Sequence, residues 1–268
     1  MTDPGRSGNA APTAAVAAMF DRLAGRYDLM NAVVSGFQEP RWRRALVRAT
    51  ELRPGMAAVD VATGTGAVAS SLADVVGPAG HVTGVDVSEG MLRLARNRLR
   101  GRAGVAIVLG DAMALPLPDE VADGATIAFG MRNLPDYERG FAEMRRVLRP
   151  GGVVACLEIG RPTSPVGRLG RMWFEQVVPR IGRLAGHSDA YRYLVSSVRA
   201  YPPPERIATI MRDAGLVEVT WRPMLFGMVT LHTGRRPAGG EGRAAGAVGA
   251  GGSGAAGALD AGAPEPND

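Results

Sequence analysis

Short apolar runs alternate with amphipathic stretches along the middle of the chain. The apolar runs have the length of strands and lie near Ala57, His81, Val105, Ala125 and Val153. Between them, apolar residues recur at spacings of three and four, which predicts helices over residues 68–75, 89–100 and 137–148. Because strands that alternate with helices usually form a parallel sheet, this pattern predicts an α/β fold with crossover helices.

The segments on either side of this core have patterns of their own. Apolar positions at helical spacing over residues 13–31 predict an amphipathic lid helix, and a second helix is expected to begin near Glu39. Towards the other end, a helix over residues 205–214 precedes two apolar runs, at 216–222 and 226–233. These two runs predict a closing pair of strands.

The composition of the chain divides it into one domain, an insertion and two ends. We predict a single domain over residues 13–237, which contains an insertion at 161–204 that we expect to determine substrate specificity. Residues 1–12 are small and polar, and residues 238–268 are rich in Gly and Ala. Both ends are predicted to be disordered because such segments bury little apolar surface.

The first predicted strand ends in a glycine-rich turn. Residues 57–66 read AAVDVATGTG, with Asp60 inside the strand and with Gly64 and Gly66 in the turn. Glycine lets backbone amides approach a ligand that a side chain would exclude. Asp86 ends the second strand, where an acid commonly binds ribose hydroxyls. The sequence therefore predicts a nucleotide-type cofactor at this edge of the sheet.

The glycines alone do not identify the cofactor, because GTGAVA also fits the fingerprint of nicotinamide dinucleotide enzymes. Two acids favour S-adenosylmethionine (AdoMet): Asp60 in the first strand and Asp111 in the GDAMALP turn after the third. The chain also contains no lysine, which rules out the Tyr-x-x-x-Lys dyad of many nicotinamide enzymes. AdoMet is therefore the predicted cofactor, with a nicotinamide as the alternative.

Composition narrows the class of protein. A chain of 268 residues with 46% hydrophobic content can bury a full core, and it contains no apolar run of membrane-spanning length and no signal-peptide pattern. We therefore expect a cytoplasmic protein. The single cysteine, Cys156, lies in the apolar run VVACLEI, and the three histidines lack ligand spacing, so neither a disulfide nor a metal site is predicted.

The basic residues, all 31 of them arginine, outnumber the acidic ones and give a net charge of +5. The segment from Ala238 carries −3, so the remainder carries +8, which favours anionic surfaces including membranes. Nucleic-acid binding is an alternative, but the aromatic content of 5% and the lack of an RNA-binding motif argue against it. A non-catalytic AdoMet-binding scaffold is a further alternative, against which the intact set of acids and glycines argues.

Longer motifs resemble those of the ubiquinone/menaquinone biosynthesis C-methyltransferase family. They are YDLMN at 27–31, DVATGTG at 60–66, GDAMALP at 110–116, FGMRNLPD at 129–136 and EMRRVLRPGG at 143–152. The resemblance covers roughly residues 16–237. It implies a class I AdoMet-dependent methyltransferase fold, with a mostly parallel seven-stranded sheet whose last strand is antiparallel. It also implies a polyprenylated quinol as the methyl acceptor, with demethylmenaquinol as the leading candidate.

Individual positions can be carried over from the family motifs. The resemblance implies that Thr65 is the threonine of the cofactor loop, that Asp86 binds ribose and that Asp111 with Ala112 contacts adenine. Two departures are Ala128, where many members have serine, and the segment SGFQEPRWRR, which differs from the commoner S-x-G-x-x-R-x-W form. They leave open whether the ring is a naphthoquinol, a 2-polyprenyl-benzoquinol or another lipophilic phenol.

Methylation of a ring carbon requires a more nucleophilic ring. A phenolic proton has a pKa near 10, so the site needs a base, a positive charge that stabilises the phenolate, or both. Arg132 is the predicted charge, and the alternative is a structural arginine paired with an acid such as Asp136. His187 is the predicted base, with a solvated or capping role as the alternative. Asn133 is predicted to orient the ring hydroxyl.

The insertion also contains a candidate binding surface for the prenyl chain. Residues 166–184 combine large apolar side chains with four arginines. This composition predicts either a core helix with solvated arginines or a prenyl-chain groove whose basic rim rests on anionic lipid. The second interpretation implies contact with the membrane surface.

Overall fold

A computed structural model describes most of the chain. The described residues are 13–23, 38–159 and 188–238, together with the isolated positions 162, 165, 167, 172 and 176. The predicted disordered segment 1–12, nearly all of the tail 238–268 and half of the insertion 161–204 lie outside the described residues.

A seven-stranded sheet forms the centre of the molecule. Its strands are β1 (Ala57–Val61), β2 (His81–Asp86), β3 (Val105–Leu109), β4 (Ala122–Ala128), β5 (Leu148–Ile159), β6 (Val217–Met224) and β7 (Val229–Arg235). Their order in the sheet is β3-β2-β1-β4-β5-β7-β6. Strands β1 to β5 are parallel to one another, and β7 is antiparallel to both β5 and β6. The predicted mostly parallel seven-stranded sheet with an antiparallel last strand is confirmed.

Helices cover both faces of the sheet. Those in the described residues are α1 (Thr13–Leu23), α2 (Glu39–Ala49), α3 (Ala67–Val76), α4 (Glu89–Arg98), α5 (Tyr137–Val147), α6 (Ser188–Ala200) and α7 (Pro204–Asp213). On one face, α2 and α3 bury Leu46 and Leu72 against the strands. On the other face, α5 and α7 bury Phe141 and Ile207. None of the described helices is both long and apolar enough to cross a bilayer.

The boundaries of several elements differ from the sequence predictions. Helix α5 ends at Val147 and β5 begins at once, because Leu148 is extended and pairs with Ala122 of β4. Strand β7 begins at Val229, three residues after the predicted start at Phe226. The intervening Leu225–Gly227 form a 3₁₀ turn in which Leu225, Phe226 and Gly227 have φ values of 44°, 54° and 88°.

Parallel strands bring the turns that follow them to one edge of the sheet. The turns after β1, β2, β3 and β4 therefore lie together, as predicted. Helix α4 begins there with a side-chain cap, since the amide of Met91 donates to the Ser88 hydroxyl at 3.1 Å. At this same edge the structure places the predicted cofactor residues.

Candidate active site

A cleft of about 670 Å³, counted to its open mouth, lies at the carboxyl edge of the sheet. The turns after β1, β2, β3 and β4 form its floor and walls, and α1 covers one side. The lining includes Gly64, Asp86, Asp111 and Ala112 from the predicted cofactor set, and also Asn133 from the predicted acceptor set.

Asp86 ties two of these turns together. Its Oδ2 accepts a hydrogen bond from the Gly64 amide at 2.8 Å, and its Oδ1 accepts one from the Ser88 amide at 2.9 Å. Burial raises the pKa of the Asp86 carboxyl, and these amides act in the opposite direction. A carboxylate fixed in this way presents its remaining lone pairs to the cleft, where it can accept hydrogen bonds from a pair of ribose hydroxyls.

The neighbouring wall suits a flat ring with a polar edge. Asp111 forms a tight turn in which its Oδ1 accepts from the Met113 amide at 2.9 Å. Ala112 follows it, and Val87 and Met91 add apolar surface to the same cleft. This combination of apolar walls and one carboxylate can hold an adenine ring and accept a hydrogen bond from its amino group.

Asp60 lies beneath the cofactor loop. Its carboxylate accepts hydrogen bonds from the hydroxyls of Thr63 at 2.6 Å and Thr126 at 2.7 Å. Burial raises the pKa of Asp60 to about 6, against the opposing effect of these two hydroxyls. Asp60 therefore connects β1 and β4 to the loop and supports the cofactor site from below.

The two predicted loop glycines have different roles. Gly64 has a φ of 56° and lines the cleft, and a Cβ there would meet no atom within 4 Å, so a ligand can approach its backbone. Gly66 has a φ of 77°, and its amide donates to the Thr63 carbonyl at 2.9 Å. A Cβ on Gly66 would come within 3.2 Å of Leu99 and Ala95. Close packing between α3 and α4 therefore requires a glycine at this position, and the approach of Gly66 to the cofactor stays a prediction.

A second cavity adjoins the cleft on the side of α2. It shares Ala62, Gly64, Ala128 and Phe129 with the cleft, and it is also lined by Thr63, Thr65, Glu39 and Arg43. Arg43 donates to Glu39 at 2.7 Å. The hydroxyl and carbonyl oxygens of Thr65 accept hydrogen bonds from Arg98 of α4 at 2.6 and 2.8 Å, so this threonine also fixes the loop.

Helix α1 forms a lid over the cleft, as predicted, and one of its acids fastens it. Val16 and Phe20 line the cleft. Asp21 accepts hydrogen bonds at Oδ1 from the Ser88 hydroxyl at 2.5 Å and from the Gly90 amide at 2.8 Å. The Ser88 hydroxyl, followed by the Gly90 amide, lowers the pKa of Asp21. The lid is therefore bound directly to the N-terminus of α4, two residues after Asp86.

Arg132 lies in the 3₁₀ turn Met131–Asn133 and is paired with an acid that the sequence prediction did not name. Its Nη1 donates to Glu158 Oε1 at 2.9 Å, and its amide donates to Glu158 Oε2 at 3.1 Å. The side chains are 7% and 0% exposed. Asp136, the predicted partner, instead caps α5 by accepting from the Arg139 amide at 3.0 Å. Arg132 thus has a structural contact, and a direct catalytic role stays a prediction.

Asn133 joins the cleft to the insertion. Its Oδ1 accepts a hydrogen bond at 3.1 Å from the hydroxyl of Tyr193, on α6. Because Asn133 also lines the cleft, this contact places a half-buried tyrosine at the edge of the cofactor site. His187, the predicted base, lies outside the described residues, so its role also stays a prediction.

Comparison with known proteins identifies the family. The profile of the ubiE/COQ5 methyltransferase family matches residues 9–236. The chain belongs to this family. It is 40% identical over 223 residues to the demethylmenaquinone methyltransferase of Desulfitobacterium hafniense (strain Y51), covering 81% of this chain and 88% of that protein. It is 38% identical to the "Ubiquinone/menaquinone biosynthesis C-methyltransferase UbiE" of Cupriavidus taiwanensis, covering 82% and 92%.

Solved structures share the fold of this family member. A SAM-dependent methyltransferase from Thermotoga maritima, described as a possible histamine N-methyltransferase, has a TM-score of 0.58 at 24% identity and covers 82% of this chain and 99% of its own. The [4+2]-cyclase SpnF has a TM-score of 0.64 at 20% identity, with coverage of 87% and 99%. At these identities the similarity describes the fold alone.

Membership of the ubiE/COQ5 family confirms the predicted methyltransferase activity and AdoMet as the cofactor. The residues in the cleft fit this group, because it offers a fixed carboxylate at Asp86, an open glycine at Gly64 and apolar walls beside Asp111. Within the described residues, no cluster of three or more His, Cys, Asp and Glu side chains could hold a metal ion.

Three residues of the site were missed by the sequence predictions. Glu158 had a visible signal, since it is the one acid in the apolar run VVACLEI and a buried acid requires a partner. Asp21 and Tyr193 gave no such signal in the sequence, because their hydrogen-bond partners Ser88 and Asn133 lie 67 and 60 residues away.

Proposed function

We propose that this protein transfers the methyl group of AdoMet to a ring carbon of demethylmenaquinol, which yields menaquinol. The proposal is supported mainly by the cofactor cleft, which contains the Asp86 and Asp111 carboxylates. The alignment with the relative named demethylmenaquinone methyltransferase extends over 88% of that relative's length, at 40% identity. A lipid-soluble acceptor of this kind also implies contact with the membrane surface, in keeping with the excess of arginine.

The two adjoining cavities account for the two halves of the cofactor. Asp86 accepts hydrogen bonds from the ribose, and Asp111 with Ala112 holds the adenine. At the other end, Arg43 and Glu39 offer a cation and an anion that match the carboxylate and ammonium groups of an amino acid. Ala62, Gly64, Ala128 and Phe129, which both cavities share, would line the site where these two halves of the cofactor meet.

The chain's contribution to the chemistry is to position the acceptor and to exclude water. When bound, AdoMet supplies a methyl group already activated by its sulfonium, so the donor needs no further activation. Asn133 and Tyr193 stand at the edge of the cleft, where they can hold the ring hydroxyl by hydrogen bonds. The lid formed by α1 closes the side of the cleft at Val16 and Phe20, which keeps water from the reacting carbon.

The ring hydroxyl must also lose a proton. His187 is the proposed base, and Arg132 is proposed to favour the phenolate. Glu158 balances the charge of Arg132. Any stabilisation of the phenolate by Arg132 therefore comes from the orientation of the ion pair and not from an isolated cation. An Arg132 group that Glu158 holds rigidly is preorganised for this purpose.

A second candidate acceptor is a 2-polyprenyl-benzoquinol. The relative from Cupriavidus taiwanensis, whose name covers both ubiquinone and menaquinone biosynthesis, supports it. The two candidate acceptors differ in the ring, so the quinone composition of the cell separates them. A third possibility, another lipophilic phenol, would leave the respiratory quinones unchanged.

The test is quinone profiling by mass spectrometry in a strain that lacks the gene. We expect the menaquinone pool to be replaced by a naphthoquinone that lacks one ring methyl, and expression of the wild-type chain to restore it. The Asp86→Ala variant should fail to restore it, whereas Asp74→Ala, at an exposed acid on α3, should succeed. A missing methyl on a benzoquinone would favour the second candidate, and an unchanged quinone pool would refute the proposal.

A further inference from the structure

An arginine groove runs along the outer face of α2. It is lined by Arg41, Arg44 and Arg48, by Arg222 of β6, and by the small residues Ala45 and Ala49. Positions 41, 44 and 48 share one helix face, and all four arginines are exposed. The groove therefore presents four cations to the solvent around a floor of methyl groups.

The charge of the arginine groove is not neutralised by ion pairs within the described part of the chain. None of the four arginines forms an ion pair within 4 Å there, and Arg41 has only a long contact with the Gln38 side chain, at 3.4 Å. Arg43, on the same helix, shows the contrast, because it pairs with Glu39 at 2.7 Å. The positive charge of the arginine groove is thus available to an external anion.

An apolar tip, consisting of Leu225 and Phe226, follows the strand that carries Arg222. These side chains are 39% and 65% exposed. Both residues have positive φ values, a conformation that residues with a side chain rarely adopt. Strained residues of this kind concentrate at binding sites. Met224, just before the tip, packs against the core cluster that contains Trp42 of α2, and Arg222 of the same strand lines the groove together with residues of α2.

The arginine groove and the apolar tip form one surface at the edge of the sheet that carries the active site. Arg222 and Phe226 are four positions apart, which limits the distance between their Cα atoms to about 13 Å. Met224 pairs with Val229, and Val229 pairs with Ile159, next to Glu158. The tip therefore lies at the same end of the sheet as the Arg132–Glu158 pair.

We propose that the arginine groove and the apolar tip together bind an anionic lipid bilayer. The arginines contact lipid phosphates, and Leu225 and Phe226 enter the interfacial region beside them. This inference rests on the proposed function in one respect, since a prenylated acceptor would be drawn from that bilayer. Nucleic acid would also match the charge of the groove, but it gives no role to an exposed aliphatic side chain at the tip.

Vesicle flotation with the full chain tests the surface. The protein should bind vesicles of phosphatidylcholine with phosphatidylglycerol, bind poorly to phosphatidylcholine alone, and dissociate as salt is raised. The variant Arg44→Glu/Arg48→Glu should lower partitioning by about thirtyfold, at about fivefold for each arginine. Leu225→Ser/Phe226→Ser should also lower it. The matched control Arg96→Glu/Arg100→Glu, which makes the same charge change in the last turn of α4 and just after its end, should bind as the wild type does.

Activity measurements separate this inference from the proposed function. With a soluble short-chain quinol, the groove and tip variants should keep wild-type turnover, and with a long-chain quinol in anionic vesicles they should lose it. The inference would be overturned if both variants bound vesicles as strongly as the wild type does. It would also be overturned if the protein bound duplex DNA or RNA and the groove variant lost that binding while its vesicle binding stayed unchanged. If vesicle binding depends on this surface but neither quinol is methylated, the proposed function fails and the lipid surface stands.

Discussion

The guanidinium of Arg132 and the carboxylate of Glu158 form a buried ion pair, 2.9 Å apart, at the end of two neighbouring strands. Glu158 also accepts from the amides of Arg132 and Ile159, at 3.1 and 2.8 Å, so one acid fixes the whole turn after β4. That turn carries Asn133 into the cofactor cleft. The pair thus links the packing of the sheet to the geometry of the acceptor site.

Arg132→Met should lower stability, because it leaves Glu158 charged and buried without its partner. Loss of one member of a buried pair typically costs about 3 to 5 kcal/mol. The double variant Arg132→Met/Glu158→Gln removes both charges and should recover most of the melting temperature. If Arg132 also favours the phenolate, the kcat of the folded double variant should stay about a hundredfold below that of the wild type, while its affinity for AdoMet is preserved. Normal turnover in the double variant would restrict Arg132 to a structural role.

Asp86→Ala should weaken AdoMet binding by about a hundredfold or more. The change removes two charge-assisted hydrogen bonds to the ribose, each worth about 1.5 to 3 kcal/mol, and it also releases the amides of Gly64 and Ser88. Calorimetry with AdoMet and with its demethylated product measures the effect, and NAD should show no binding to the wild type. Asp74→Ala is the control, and unchanged AdoMet affinity in Asp86→Ala would remove the ribose assignment.

Asp21→Ala should speed the release of AdoMet by about tenfold, because the lid loses its hydrogen bonds to Ser88 and Gly90. Stopped-flow displacement of bound cofactor gives this rate. Gly90→Ala should act in the same direction, since its Cβ would lie 2.8 Å from Asp21 Oδ1. The exposed neighbour Arg22 provides the control variant Arg22→Ala. Release rates that match the wild type in both Asp21→Ala and Gly90→Ala would show that α1 does not retain the cofactor.

Tyr193→Phe should lower kcat/KM for the quinol by about fivefold while leaving the Kd of AdoMet unchanged. The substitution keeps the ring and removes only the hydroxyl that donates to Asn133 at 3.1 Å, a loss of about 1 kcal/mol. Ser196→Ala, on the same helix, is the control. An equal loss of AdoMet affinity would indicate that the tyrosine supports the cofactor cleft and not the acceptor.

Asp60 makes stability depend on pH in a defined direction. Its folded pKa of about 6 lies above the ordinary value of 3.8, so the folded protein binds more protons than the unfolded chain between these values. Asp60 therefore favours the folded state most at low pH, and this advantage is lost as pH rises towards 6. Relative to Asp60→Asn, the wild type should lose roughly 2 kcal/mol between pH 4 and pH 7, as measured by urea unfolding. A constant difference would show that the burial of Asp60 has been misjudged.

The sheet could be predicted because buried parallel strands are short apolar runs, and because an acid or glycine marks each point where they end. Asp86 and Asp111 could be placed in the cleft for the same reason, since the carboxyl ends of parallel strands must meet. The cap at Ser88 is also a local signal, since the hydroxyl and the amide that it accepts from are three positions apart.

Partners that are distant in sequence could not be predicted in this way. The periodicity of the sequence indicates that Glu158 is buried, but it does not identify Arg132 as its partner. Asp136 was named as a possible partner of Arg132 because it is close to it in sequence, and the structure instead uses Asp136 as a helix cap. Gly66 fits a ligand-binding fingerprint in the sequence. The structure adds a second reason for glycine there, because a side chain at this position would come too close to Leu99 and Ala95. Such assignments depend on how the helices pack, which a local pattern does not contain.

Methyl transfer by the purified chain tests the proposed ring C-methylation most directly. The donor is AdoMet with a deuterated methyl group, and the acceptor is a short-chain demethylmenaquinol. Mass spectrometry with fragmentation of the product locates the label. We expect one deuterated methyl on the quinol ring carbon, formed by the wild type and the Asp74→Ala control and absent with Asp86→Ala. A label on oxygen, or no transfer by a wild-type protein that binds AdoMet, would contradict the proposed ring C-methylation.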